Sequence, residues 1–109
     1  MGKNPYEYGR KQEERVARSL RGRGAKVNLS PGSKGAADLT AEFPNGPTWK
    51  IQVKSSEGGN PKSPSAKDLG RLKQSATKSG ATPVVAKVTP GEITYRSARD
   101  GRKITPKKR

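Results

Sequence analysis

Apolar residues recur along this chain at two different spacings, and each spacing predicts an element. Ala37, Leu39, Ala41 and Phe43 alternate with Asp38, Thr40 and Glu42, and Trp49, Ile51 and Val53 alternate with Lys50, Gln52 and Lys54. Successive side chains of a strand point to opposite faces, so each apolar set shares one face. Between the two runs stands Pro44-Asn45-Gly46-Pro47. Asn and Gly tolerate the backbone angles of a tight turn, and Pro has no N–H to offer a ladder. The pattern predicts an antiparallel hairpin with Asp38, Gln52 and Lys54 together on its non-apolar face.

Before the hairpin the spacing is helical. Val16, Ala17 and Leu20 form a stripe that predicts a helix beginning at 7 or 9 and ending at 23, with Gly22 or Gly24 as its C-terminal cap. Glu13 lies three, four and seven residues ahead of Val16, Ala17 and Leu20, in line with that stripe. An acid so placed needs a partner. It either joins a metal or hydrogen-bonded network, or it sits at the edge of the stripe and pairs with Arg10 or a loop Lys. Glu14, about 100° away, has Arg18 as its i+4 neighbour and reads as an exposed pair.

Residues 25–30 (AKVNLS) alternate and predict a first strand, followed by the turn Pro31-Gly32-Ser33-Lys34-Gly35. Such a loop can approach a phosphate through its backbone N–H groups, or it can simply connect two strands. The Gly/Pro/Ser-rich segment 56–65 predicts irregular chain. Ser65 with Asp68 resembles a capping box that opens a second helix to 79, with Leu69, Leu72 and Ala76 on one face and Gly80 after it. Residues 83–88 (PVVAKV) predict an interior strand and 92–97 (EITYRS) an edge strand. The element order is therefore α-β-β-β-α-β-β: an α/β domain with a mixed central sheet of about five strands flanked by helices. Residues 1–98 form one domain. Residues 99–109, with six Lys and Arg, predict a flexible basic tail that binds phosphates without sequence preference.

Charge narrows the function. The 109 residues carry 24 Lys and Arg against 9 Asp and Glu, a formal net charge of +15, which points to a polyanion, nucleic acid, as partner. With no Cys and no His there is no zinc finger, thiol nucleophile or imidazole base, so any hydrolysis must rest on carboxylates, a metal, Lys or Tyr. There is no secretory leader and no apolar run of the roughly 20 residues a membrane span needs, so a cytoplasmic protein with no membrane partner is expected. Only 28% of residues are hydrophobic, which makes for a thin core that a homodimer would help to bury, with Leu72, Ala76, Val84 or Tyr95 as interface candidates.

An acid, an amide and an amine on one hairpin face suit phosphodiester hydrolysis. Asp38 and a second oxygen ligand, Gln52, would hold Mg²⁺, Lys54 would orient water and offset charge on phosphorus, and Glu13 would complete the set. At these residues the chain resembles the archaeal-type Holliday junction resolvases of the PD-(D/E)xK, restriction-endonuclease-like superfamily. The resemblance runs through Gly9-Arg10-Lys11-Gln12-Glu13 with Val16, Leu20 and Gly24, then Pro31 to Gly35 with Ala37-Asp38-Leu39. It continues in Ile51-Gln52-Val53-Lys54-Ser55, in Asp68-Leu69-Gly70-Arg71-Leu72, and in Gly80 with Pro83 to Ala86.

It implies a restriction-endonuclease-like core, a catalytic set of Glu13, Asp38, Gln52 and Lys54, and Mg²⁺ on Asp38, Gln52 and Glu13, with Mn²⁺ as a substitute and no small-molecule cofactor. Ser30, Ser33 and Lys34 would lie beside the scissile phosphate. With Arg10, Lys62, Lys67 and Arg71 they are the residues expected to contact DNA. It also implies a homodimer that makes paired cuts in a four-way junction, in a prokaryote or a virus of one. The family usually has Glu where this chain has Gln52, whose amide oxygen ligates without charge. Three other readings stand beside this one. They are a non-catalytic nucleic-acid-binding protein of the same fold, a nuclease for nicked, flapped or linear DNA, and a basic ribosome-associated protein.

Overall fold

The computed structural model describes residues 5–29, 37–44, 46–55, 66–89 and 91–104, with the backbone alone at 5–9 and 55. Helix α1 (Pro5–Arg21) leads into strands β1 (Lys26–Leu29), β2 (Leu39–Glu42) and β3 (Thr48–Ser55). Helix α2 (Ala66–Ser79) follows, then β4 (Thr82–Val88), β5 (Ile93–Ser97) and β6 (Lys103–Ile104). The strands form one sheet in chain order, β1 to β6. Every neighbouring pair is antiparallel except β3 and β4, which run parallel and are joined through α2. A parallel pair cannot be closed by a tight turn, and α2 supplies the crossover.

Both helices end by the same device. Gly24 (φ 93°) and Gly80 (φ 69°) adopt left-handed backbone. At the end of α1 the Ala25 N–H donates to the Leu20 carbonyl (3.1 Å) and the Gly24 N–H to Arg21 (3.0 Å). At the end of α2 the Ala81 N–H donates to Ala76 (2.8 Å) and the Gly80 N–H to Thr77 (3.3 Å). Each is a Schellman motif, with buried apolar residues at both of its ends, Leu20 and Ala25 in one and Ala76 and Ala81 in the other. Of the two candidate caps on the first helix, Gly24 is the one used, and the helix proper stops at Arg21.

The core lies between α1 and one face of the sheet. Val16, Ala17 and Leu20 pack on Val27, Leu39, Ala41, Ile51, Val84, Ala86 and Val88. Phe43, Trp49 and Tyr95 close one side of it, with ring centroids 5.0 Å apart for Phe43–Trp49 and 5.7 Å for Trp49–Tyr95. The opposite face carries a smaller cluster, Ala37, Leu72 and Val85, beneath α2.

Three expectations change. A sixth strand forms inside the segment read as a basic tail: Lys103 and Ile104 pair with Arg96 and Tyr95. The turn before it is built by Asp100, whose Oδ1 accepts the Arg102 N–H (3.0 Å), and by Gly101 at φ 75°. Asp-Gly is a hairpin signal that the excess of cations had masked. Leu72, Ala76, Val84 and Tyr95, offered as interface residues, are instead buried in this chain's own core (0%, 0%, 0% and 5% exposed), where they cannot also face a second copy. Ala37, expected beside Leu39, packs on the opposite face with Leu72 and Val85. No helix among the described residues is long and apolar enough to cross a membrane.

Candidate active site at the β2–β3 fork

The displacement of Ala37 originates in the β2–β3 ladder. Leu39 pairs with Ile51, so a strict continuation would set Asp38 against Gln52. Instead the Asp38 N–H donates to the Ile51 carbonyl (2.8 Å), one residue out of step. The slip acts as a bulge: it breaks the alternation and re-aims the side chains before it. The Asp38 carboxylate takes the place of the next backbone acceptor, with Oδ2 accepting the Val53 N–H (2.9 Å). Asp38 therefore lies beside residues 52–54 because the ladder slips, and not through the unbroken alternation that the sequence suggested.

Groups of both sheet faces meet at this fork. Burial raises the Asp38 carboxyl above its ordinary range; the Val53 N–H and the Lys54 charge pull it down, and Asp68, in the first turn of α2, pushes it further up. Glu13 on α1 is raised as well, first by burial and then by the negative charge of Asp38, with Arg10 opposing. Glu13 is half-buried while Glu14 is exposed, as the helical phase required. It also pairs with Arg10 (3.5 Å, i to i+3), so both readings of Glu13 hold at once.

Gln52 and Lys54 follow Lys50 on the α2 face of β3, where the Lys50 Nζ donates to Ser75 Oγ on α2 (3.0 Å). The Gln52 Oε1 is buried and has no hydrogen-bond partner among the described residues. Leaving a buried acceptor of this kind without a partner costs about 1–3 kcal/mol, a cost that an ordered water or a bound cation would offset. Among the described residues no three carboxylates gather closely enough to cage a metal. The oxygen donors at hand are two carboxylates and one neutral amide, hard ligands of the type that suits Mg²⁺ or Mn²⁺ better than a thiophilic ion.

Lys67 and Arg71 stand exposed one turn apart on α2, either side of Asp68. Ser30, Ser33, Lys34 and Lys62 lie outside the described residues. Sequence reasoning missed the reach of Asp68 toward Asp38, since its place in the first helical turn already explained it as a capping acid.

A six-stranded mixed sheet with one helix on each face and acidic and basic groups at the β2–β3 fork defines a restriction-endonuclease-like fold. Among solved structures the chain matches Hjc, a Holliday junction resolvase from the archaeal hyperthermophile Archaeoglobus fulgidus. The match has a TM-score of 0.74 and 20% identity, and it covers 84% of this chain and 74% of that one. At that identity the likeness is one of fold. No protein-family model matches the chain, and no curated protein sequence does.

Proposed function

We propose that the protein is a metal-dependent endonuclease that cuts four-way DNA junctions. The observation that carries this reading is a desolvated Asp38 carboxylate, held by the Val53 N–H, beside the strand position whose buried Gln52 Oε1 has no hydrogen-bond partner among the described residues. The fold it shares with a junction resolvase supports the choice of substrate, and the net charge of +15 supports a polyanionic one.

Asp38, Gln52 and Glu13 would hold a divalent cation, which supplies Lewis-acid polarisation of the phosphate when bound. The chain's own groups do the rest. The Val53 N–H fixes the Asp38 carboxylate through Oδ2 and leaves Oδ1 for other work. Lys54 carries its charge next to Asp38, where it orients water and offsets charge that builds on the non-bridging phosphate oxygens. Water adds to phosphorus and gives up a proton, the bond from phosphorus to the leaving sugar oxygen breaks, and that oxygen takes a proton. Arg10 holds Glu13 in place through their ion pair. Lys67 and Arg71, with Arg10 and Lys62, would contact the phosphates of the arms, and Ser30 or Ser33 with Lys34 would lie beside the scissile phosphate. Two copies acting on one junction would yield paired cuts.

The test is cleavage of a labelled four-way junction beside a linear duplex of the same sequence, with Mg²⁺, with Mn²⁺ and with EDTA. Paired, metal-dependent cuts in the junction alone are expected. One observation favours a second reading: among the described residues no three carboxylates gather closely enough to hold a metal, which suits a non-catalytic DNA-binding protein of this fold. Tight junction binding without cutting under any metal would establish that reading instead.

A further inference from the structure

Helix α2 packs on β3 and β4, and beside it the sheet leaves a groove whose surface is mostly apolar, with two cations in its lining. A shallow groove of about 140 Å³ lies there over β4 and β5. Leu69, Val85 and Ala98 line it together with Lys87 and Arg96, and no described lining residue is acidic. The register ties this groove to the fork. Lys87 pairs with Lys54 across the parallel β3–β4 ladder, and Val85, which pairs with Gln52, pairs on its other side with Arg96. One strand further out Lys103 pairs with Arg96. By strand alternation all of these lie on the side of the sheet opposite α1.

We infer that this groove carries the sugar–phosphate backbone of a nucleic-acid strand as it runs from the fork across β4 and β5. The inference rests on the nucleic-acid reading of the fork. Arg96 lies two strand spacings across from Gln52, and Lys54 two residues further along β3, so Lys54 and Arg96 are about 12 Å apart. That length of one DNA strand holds about three phosphates at about 3.4 Å of helix axis each. The Arg96 guanidinium is held in place, since its Nη1 donates to the Gly101 carbonyl (3.0 Å), so one cation of the track is ordered before any ligand arrives. Gly101, at φ 75°, belongs to the turn that brings β6 and Lys103 alongside. The described lining holds no aromatic ring on which a base could stack, which favours backbone over bases and binding without regard to sequence.

Binding of a labelled four-way junction in EDTA, followed by fluorescence anisotropy between 50 and 200 mM KCl, tests this without any cutting. The double variant Lys87→Gln/Arg96→Gln should flatten the slope of log K against log salt by about 1.8, two phosphate contacts at about 0.9 each. Across that salt range the variant then loses about tenfold less affinity than the wild type does. Arg96→Lys, which keeps the charge, should keep the slope. Lys11→Gln/Arg18→Gln removes the same charge from exposed positions of α1, on the other side of the sheet, and should change the slope by less than half as much. A double variant with the wild-type slope overturns the inference, and so does an α1 variant that flattens it equally. Native Trp49 fluorescence checks the fold of each variant, and Lys87→Gln alone, expected to lower the slope by about 0.9, is the second measurement if the double variant unfolds. A wild-type chain that binds but never cuts would overturn the proposed activity and leave the groove intact, so the two failures are distinguishable.

Discussion

The two faces of the sheet are built from the same strands and do opposite work. In β3, Trp49 and Ile51 face α1 and are buried with the main core, while Lys50, Gln52 and Lys54 face α2 and are half-buried and polar. In β4, Val84, Ala86 and Val88 join the core, whereas Lys87 on the other side lines an open groove together with Arg96. One face supplies apolar burial over nearly its whole breadth. The other keeps a small apolar anchor, Leu72 with Val85 and Ala37, and leaves the remainder to charge and hydrogen bonding. A small basic chain with few apolar residues concentrates its burial on one side, which frees the other for a polyanion. Asp38 stands where the division breaks down, within reach of Glu13 from the α1 side and of Lys54 and Asp68 from the α2 side.

The largest effect should come from breaking that meeting point. Asp38→Asn keeps an oxygen to accept the Val53 N–H but removes the charge; junction cleavage should fall at least about 10³-fold while junction affinity changes little. The same variant tests the cost of the site. The Asp38 and Glu13 carboxyls are both raised, chiefly by burial. Such groups keep their protons in the fold at pH values where the unfolded chain has lost them. Their contribution therefore favours the fold below the ordinary carboxylate range and is lost as pH rises through the folded values. In metal-free urea titrations the wild type should lose stability over that window as pH rises. Asp38→Asn should show a shallower loss and melt higher at neutral pH. Equal slopes for the two proteins would show that the carboxylate is not strained by its surroundings.

Ile51→Ala against Lys50→Ala compares the faces at adjacent residues of one strand. Ile51 is fully buried, and its truncation should cost about 2–5 kcal/mol by urea unfolding. Lys50→Ala loses its bond to Ser75 and should cost about 1 kcal/mol or less. Similar costs for the two would remove the contrast.

Gln52→Glu sharpens the polar side. A third acid at the fork should lower the melting temperature in EDTA and reduce the Mg²⁺ needed for half-maximal effect about tenfold, a gain of about 1.4 kcal/mol. An unchanged Mg²⁺ requirement would mean that the Gln52 oxygen does not reach the cation. Gly80→Ala, at the C-terminal cap of α2, should cost less than Ile51→Ala. Nothing lies within 4 Å of the added Cβ, so only the left-handed backbone resists it, at about 1–2 kcal/mol.

Much of this molecule follows from local chemistry that reads directly off the chain. Periods of two and of three to four residues, with glycines at the helix ends, place both helices and the first five strands, because side-chain direction and capping are properties of a few consecutive residues. Glu13 on the apolar stripe, and Gln52 with Lys54 on the polar side of one strand, are legible for the same reason. The tertiary structure alone decided the rest. The slip at Asp38 left the Ala37–Phe43 alternation intact in the sequence, since a bulge depends on what the partner strand offers. The approach of Asp68 to Asp38, and the alignment of Lys87 and Arg96 with Lys54, required the parallel β3–β4 pairing and its register, which join residues that local pattern cannot relate.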